Sequence, residues 1–196
     1  GIVGFIPGAS SRTAAELSEW NRTAWIPLLP DTDAEYTNII RIDVSGLRPQ
    51  VAVPFHPHHV QAAEELRHVK IDTGFIGSCT NGRQEDFAAA AEILRGKHIK
   101  PGISLKIVPA TRRVYAELLE KGIIDTLFQS GAVIRNPGCG GCAEGHIGLT
   151  GEGEVQVSTG NRNFEGKQGK GRTYLASPEV VAASCLLGRV GTPEEL

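Results

Sequence analysis

The sequence is marked first by what it lacks. Its 196 residues contain no methionine, only four cysteines, and no apolar run that approaches the length of a transmembrane helix. The cysteine density is far below that of a disulfide-stapled secreted domain, which favours a reducing, cytoplasmic environment. The N-terminus has neither the basic start nor the apolar core of a signal peptide. Because no start methionine is present, we expect a processed piece or a fragment of a longer polypeptide.

An excess of one charge is also missing. The formal net charge is −2, and aromatic residues make up 6% of the chain. Nucleic acids and anionic membranes are bound by basic surfaces, and RNA also by aromatic side chains beside them. The composition therefore predicts no nucleic-acid partner and no membrane partner. The one basic run, "GKQGKGR", is interpreted as a mobile loop.

Apolar periodicity predicts an alternation of strands and helices from residue 60 onward. The predicted strands are 71–78, 103–110, 132–136 and 155–159, and the predicted helices are 60–69, 84–96, 111–122 and 177–188. This alternation is typical of an α/β fold with a mostly parallel sheet and helices on both faces. Residues 1–60 are expected to be a partial N-terminal lobe. They contain possible strands at 1–10 and 36–46 and a proline-rich boundary loop, "PFHPHHV", at 54–60.

Thiol and polar side chains follow the ends of three predicted strands. Cys79 follows the strand at 71–78, Cys139 and Cys142 follow 132–136, and "NRN" at 161–163 follows 155–159. Ligands bind at the carboxyl edge of an open α/β sheet, and the surrounding glycines allow backbone N–H groups to approach them. The sequence therefore predicts a site at this edge.

The thiols admit several kinds of chemistry. A redox disulfide between Cys139 and Cys142 is less favoured, because such motifs normally open a helix rather than lie in a glycine loop. Zinc would use four ligands, which Cys79, the two loop cysteines and His146 could supply. An iron–sulfur cluster held by three thiolates would leave one iron open as a Lewis acid. Spacing alone does not decide between zinc and the cluster.

Four segments carry a resemblance to a known family. They are "IGSCTNGR", "GCGGC", "STGNRNFEGKQG" and "TYLASPEVVAAS", and they resemble the aconitase family of hydro-lyases in the family's order. Within it they are most similar to the large subunits of 3-isopropylmalate dehydratase and homoaconitase. The "DAEYTNIIRIDVSGLRP" and "PFHPHHV" segments are also similar to that subunit.

The resemblance implies an iron–sulfur enzyme component. Cys79, Cys139 and Cys142 would bind three irons of a [4Fe–4S] cluster in a domain at 61–196, and the fourth iron would stay open for substrate. The reaction would be dehydration and rehydration of a hydroxy di- or tricarboxylic acid. The first candidate is the interconversion of 3- and 2-isopropylmalate in leucine biosynthesis, with homoaconitase or a methylmalate-type hydratase as alternatives.

The same resemblance implies roles for five further residues. Catalytic roles fall to Asn161, Arg162 and Lys167, and substrate-binding roles to Ser78, Arg83, Arg162 and Lys167. Lys167 stands where the family has a second arginine, so the bidentate fork is lost there. The base and other acids would come from a small, swivelling subunit and from N-terminal segments that this sequence lacks, so the chain is expected to be inactive alone.

Several of the cysteine, histidine and arginine residues also have a purely structural explanation. Cys185 is expected to be a buried apolar residue, and His56, His58 and His59 to be loop residues without a metal. Arg83 could instead pair with an acid on the following helix. A zinc-stabilised or cluster-free binding module is the alternative from another functional class.

Overall fold

A computed structural model describes residues 31–196. The strand expected at 1–10 lies outside these residues. The chain divides into two compact units, Gly1–Val44 and Ser45–Leu196. In the first unit, described residues 31–44 form no strand, and Ile39, Ile40 and Ile42 are 68–78% exposed. The strand prediction for 36–46 was wrong because alternation alone does not make a strand without a neighbour to pair with.

The second unit is built on one seven-stranded sheet. The strands are β1 Gln50–Ala52, β2 Val60–Ala62, β3 Thr73–Gly77, β4 Ser104–Val108, β5 Val133–Ile134, β6 Val155–Ser158 and β7 Arg172–Leu175. Their order is β2-β1-β7-β6-β3-β4-β5. The five strands from β7 to β5 in this order are parallel to one another. β1 and β2 are antiparallel and form the lateral end of the sheet beyond β7. The predicted α/β fold with a mostly parallel sheet is confirmed.

The region around residue 60 differs from its prediction. The helix expected at 60–69 is replaced by strand β2 and a single 3₁₀ turn, Ala63–Leu66. Ala63 and Leu66 are buried three residues apart, a spacing that one 3₁₀ turn satisfies as well as an α-helix. Because β1 and β2 join the sheet, the second unit begins at Ser45, whereas the sequence placed a boundary after residue 60.

Four α-helices cover one face of the sheet in the second unit. They are α1 Gln84–Leu94, α2 Arg112–Glu120, α3 Ile123–Gln129 and α4 Pro178–Leu187. α1 contacts the other three, so the described helices form a single layer. Helix α4 starts where predicted, with the Ser177 hydroxyl accepting from the Val180 N–H at 3.4 Å, and ends at Gly188 with φ 73°. α4 packs closely on β3 because Gly74 has no side chain to collide with the Cys185 sulfur.

A glycine-rich loop covers the opposite face, where the sequence predicted helices. Side chains alternate along a strand, so Phe75 points away from α4, and it is 1% exposed. Gly140 and Gly148 lie on the Phe75 ring, where a Cβ on either would come within 2.5 Å of it. The buried Gln156 amide fixes the loop by donating to the Gly148 carbonyl at 2.9 Å. A loop without side chains at these points can lie flat on the sheet in place of a helix.

No helix in the described part of the chain is both long enough and apolar enough to cross a bilayer.

Candidate functional site

Cys79 lies just past the end of β3, in a sharply turned backbone. Ser78 has φ 61°, an uncommon value for a residue with a side chain, and its N–H donates to the Val108 carbonyl at 2.9 Å. The Ser78 hydroxyl is fully buried and has no hydrogen-bond partner among residues 31–196. Cys79 itself is exposed and free. The turn therefore fixes the backbone next to a thiol that faces solvent.

The C-x-x-C loop approaches the same end of β4. The Gly138 N–H donates to the Pro109 carbonyl at 3.4 Å, one residue beyond the carbonyl that holds Ser78. Cys139 is exposed and Cys142 half-buried, and both are free thiols. Cys139 precedes a short 3₁₀ turn, Gly140–Cys142, and Cys142 ends it, with the Cys142 N–H donating to the Cys139 carbonyl at 3.3 Å. The segments carrying all three thiols thus belong to one edge of the sheet, as the strand ends predicted.

The "NRN" loop leaves β6 beside β3. The Thr159 hydroxyl accepts from the Gly77 N–H at 3.0 Å, and the Thr159 N–H donates to the Phe75 carbonyl, also at 3.0 Å. Asn161 and Arg162 follow, both exposed. The Arg162 guanidinium donates to the Asn161 carbonyl at 2.8 Å and has no acidic partner in the described part of the chain. A solvent-facing guanidinium without an acidic partner can bind a carboxylate through two parallel N–H donors.

Two buried amides hold this loop: Asn163 of "NRN", to which the sequence assigned no role, and Gln168, which it did not single out. Gln168 is 3% exposed, accepts from the Ser158 hydroxyl at 2.9 Å and donates to the Arg162 carbonyl at 3.3 Å. Asn163 is 1% exposed, and its amide nitrogen lies 3.1–3.3 Å from the carbonyls of Ala52, Val53 and Thr173. Both side chains connect the loop to the sheet and so position Arg162. In sequence they are polar residues in a glycine-rich loop, and such residues are usually exposed.

Two of the expected substrate ligands, Lys167 and Arg83, make local hydrogen bonds. The Lys167 ammonium is half-buried and lies 3.5 Å from the Cys142 carbonyl, so it connects the "NRN" loop to the C-x-x-C loop. The Asp86 carboxylate accepts from the Arg83 backbone N–H at 2.9 Å and from the Asn81 amide at 3.1 Å. Arg83 therefore contacts an acid on the following helix through its backbone N–H, and no ion pair joins its guanidinium to an acid within residues 31–196.

The donor chemistry of the edge fits an iron–sulfur cluster, although the ligands are not assembled. Within residues 31–196 no three His, Cys, Asp or Glu side chains are grouped to hold a metal ion, and this includes the zinc set with His146. Three free thiols remain at the edge, and thiolates are the ligands that iron–sulfur clusters use. Cys185 differs from them, because complete burial raises the pKa of its thiol to about 12 and keeps it protonated.

A cavity of about 540 Å³ adjoins the C-x-x-C loop. Arg135 and His146 are the charged or titratable side chains among its lining residues besides Tyr115, and no acidic residue lines it. Arg135 therefore gives the lining of this cavity one positive charge and no negative charge.

Comparison with known proteins places these features in a family. The family model described as "Aconitase family (aconitate hydratase)" matches residues 58–188. The homoaconitase large subunit of Thermus thermophilus is 47% identical over 171 residues, which cover 86% of this chain and 41% of that protein. The 3-isopropylmalate dehydratase large subunit of Thermodesulfovibrio yellowstonii is 46% identical over 168 residues, covering 85% of this chain and 40% of that protein. The 2,3-dimethylmalate dehydratase large subunit of Eubacterium barkeri is 47% identical over 169 residues, with coverage of 85% and 40%.

The chain thus spans about two-fifths of the length of these curated relatives. The matched region runs from the loop before β2 to the end of α4 and contains all three thiols and the "NRN" loop. The chain belongs to the aconitase family.

Proposed function

We propose that this chain is the cluster-holding part of a hydro-lyase that dehydrates and rehydrates a hydroxy di- or tricarboxylic acid. The observation that carries the proposal is the placement of three free thiols and an arginine without an acidic partner at one edge of a parallel sheet. Membership in the aconitase family implies an iron–sulfur cluster in general terms. The finer assignment, a [4Fe–4S] cluster held by Cys79, Cys139 and Cys142, is ours.

The chemistry of the donor set supports a cluster more than a structural zinc. When bound, a cluster with three thiolate ligands supplies one open iron, a Lewis acid for the substrate hydroxyl and carboxylate. Exposed thiols on loops can turn toward a common centre, whereas buried Cys185 cannot reach it. The glycines of the C-x-x-C loop leave backbone N–H groups free to approach the sulfurs.

The remaining residues of the edge would bind and orient the substrate. Arg162 grips a substrate carboxylate with two parallel N–H donors, and Asn161 donates to the cluster or to the substrate. Lys167 adds positive charge beside Cys142 and contributes to catalysis through that charge and through its contact with the loop. The exposed guanidinium of Arg83 and the buried hydroxyl of Ser78 flank Cys79 and contribute to substrate binding.

The substrate pair we favour is 3-isopropylmalate and 2-isopropylmalate, interconverted in leucine biosynthesis. Relatives named for 3-isopropylmalate, homoaconitate and 2,3-dimethylmalate chemistry support a hydroxy acid of this class, and the last two are the alternatives. Because the relatives are large subunits and more than twice as long, we propose that a small subunit and further large-subunit segments complete the site. A biosynthetic role of this kind belongs in the cytoplasm.

The proposal is tested by turnover of the assembled enzyme. The full-length polypeptide and its small subunit are reconstituted without oxygen, and absorbance of the unsaturated acid is followed: it should rise as 3-isopropylmalate or 2,3-dimethylmalate is dehydrated and fall as homoaconitate is hydrated. We expect dehydration of 3-isopropylmalate, and loss of activity in Cys79→Ser. A fully loaded cluster with no turnover of any hydroxy acid would contradict the proposal, and one zinc without sulfide would favour the zinc-stabilised module.

A further inference from the structure

A second group of metal-binding side chains lies outside this edge, in the loop between β1 and β2. The imidazole rings of His56, His58 and His59 are in mutual contact, with centroids 4.6–5.2 Å apart. All three residues are exposed. The grouping places three imidazoles, which are common metal ligands, within reach of one point in space.

The backbone of the loop holds the three residues close together. The Val53 N–H donates to the His59 carbonyl at 2.7 Å, the His56 N–H to the Val53 carbonyl at 3.4 Å, and the His59 N–H to the His56 carbonyl at 3.1 Å. These three bonds close the loop at its base and at its turn. The side chains, in contrast, face solvent and can rotate on a picosecond to nanosecond timescale.

The ring spacing matches that around a tetrahedral ion. Metal-to-nitrogen bonds of about 2.0–2.1 Å put each ring centroid about 3.2 Å from the ion, so tetrahedral angles separate the centroids by about 5 Å. The centroid separations of 4.6–5.2 Å lie close to this value. In the present ring orientations no three such side chains in residues 31–196 are grouped to hold an ion. Binding therefore requires the rings to turn, and the broad torsional preference of histidine χ2 makes this inexpensive.

We propose that His56, His58 and His59 form a binding site for one borderline divalent cation, such as Zn²⁺ or Co²⁺, with water as the fourth ligand. Three neutral imidazoles suit these ions, whereas Mg²⁺ and Ca²⁺ prefer oxygen ligands. The site uses none of the residues assigned to the cluster or the substrate, and the proposal does not rest on the hydro-lyase activity. The histidine loop is fixed to the sheet at its base, where the Val53 carbonyl also accepts from the Asn163 amide at 3.1 Å.

The test is titration of the full chain with Co²⁺ under reducing, oxygen-free conditions, followed by visible absorption. Cobalt on the histidine site gives tetrahedral d–d bands without the thiolate charge-transfer band that cysteine ligation adds. We expect one equivalent of cobalt with this spectrum to bind per chain and to be displaced by Zn²⁺. In His58→Ala its affinity should fall by more than about 10-fold, which is the lower cost of losing even an outer-shell partner.

His98→Ala is the matched control, since His98 is an exposed histidine elsewhere in the same unit. It should bind cobalt like the unaltered chain. His56→Gln and His59→Gln repeat the test with polar replacements, and circular dichroism verifies the fold of each variant. Cobalt bound only with thiolate bands, equal affinity in the His58 and His98 variants, or no bound cobalt would each overturn the proposal.

Discussion

Replacing Gly140 by alanine tests whether the C-x-x-C loop is packed flat on the sheet. Gly140 has φ 56°, and its added Cβ would lie 2.5 Å from the Phe75 ring. Gly96 is a matched control, because it has φ 69° but nothing within 4 Å of its added Cβ. The two variants therefore share the backbone penalty and differ in the collision.

The expected magnitudes follow from these two terms. A left-handed backbone costs an alanine about 1–2 kcal/mol, which is the whole effect expected for Gly96→Ala. Overpacking adds about 1–3 kcal/mol at Gly140. If the loop instead moves away from the sheet, exposure of Phe75 costs at most about 1.5–3 kcal/mol. Collision and loop displacement therefore predict a loss of stability of similar size. We expect Gly140→Ala to lower the free energy of unfolding by about 2–5 kcal/mol in total.

Urea unfolding followed by far-ultraviolet circular dichroism measures both variants. The reconstituted Gly140 variant should also bind less iron than the Gly96 variant, because the displaced loop carries Cys139 and Cys142. Equal losses of stability in the two variants would refute the packing of the loop on Phe75.

Four further changes have defined outcomes. Arg162→Lys should lower kcat/KM of the assembled enzyme by roughly 100-fold, or about 3 kcal/mol, through loss of the bidentate grip, with iron content unchanged; normal kinetics would assign the arginine a structural role. Cys185→Ala should leave the cluster absorption intact, and a bleached spectrum would contradict its assignment as a buried core residue. Gln168→Leu should destabilise the chain by about 1–3 kcal/mol, because the buried Ser158 O–H loses its acceptor, and an unchanged unfolding midpoint would show that the "NRN" loop does not depend on this amide. Glu195→Gln should lower the free energy of unfolding by on the order of 1 kcal/mol at neutral pH and reduce the loss of stability on acidification below about pH 4.5. The same loss of stability on acidification as in the unaltered chain would contradict the stabilising role of the Glu195 ion pairs.

The sign of the Glu195 effect follows from its surroundings. Burial alone would raise the pKa of this carboxyl, but hydrogen bonds from Arg189 and the Thr192 N–H, with the charges of Arg189 and Arg67, lower it. The Arg189 and Arg67 nitrogens lie 2.8 and 3.0 Å from its oxygen. A carboxyl with a lowered pKa in the folded state stabilises the fold above its unfolded pKa. That stability is lost as the pH falls through the folded value.

The parts of the fold that the sequence predicted are those with strong local signals. β3 is buried along its whole length, β4 alternates half-buried polar with buried apolar residues, α1 is an alanine-rich helix, and α4 has a serine cap and a terminal glycine. β1, β2, β7 and α3 were not predicted: β1 and β2 are three residues each, β7 begins with an exposed arginine, and α3 continues almost directly from α2. Short elements depend on tertiary pairing more than on local pattern.

The site was predictable where position along a strand determines it. The ends of β3, β5 and β6 place Cys79, the C-x-x-C loop and Arg162 on one edge, and strand ends can be read from a sequence. The contacts of Lys167 with Cys142 and of Gln168 with Ser158 could not be predicted. These contacts depend on how two long loops fold back over the sheet. The periodic patterns that predict helices and strands carry no information about the path of a loop.

The most direct test of the cluster assignment is the amount of iron, zinc and acid-labile sulfide bound per chain. The protein is purified without oxygen, reconstituted with iron and sulfide, and compared with Cys79→Ser, Cys139→Ser, Cys142→Ser and, as the control, Cys185→Ala. We predict about four irons with matching sulfide in the unaltered chain and in the control, about three irons after exposure to air, and loss of the cluster in the other three variants. One zinc without sulfide, or iron that survives all three edge substitutions, would contradict the account.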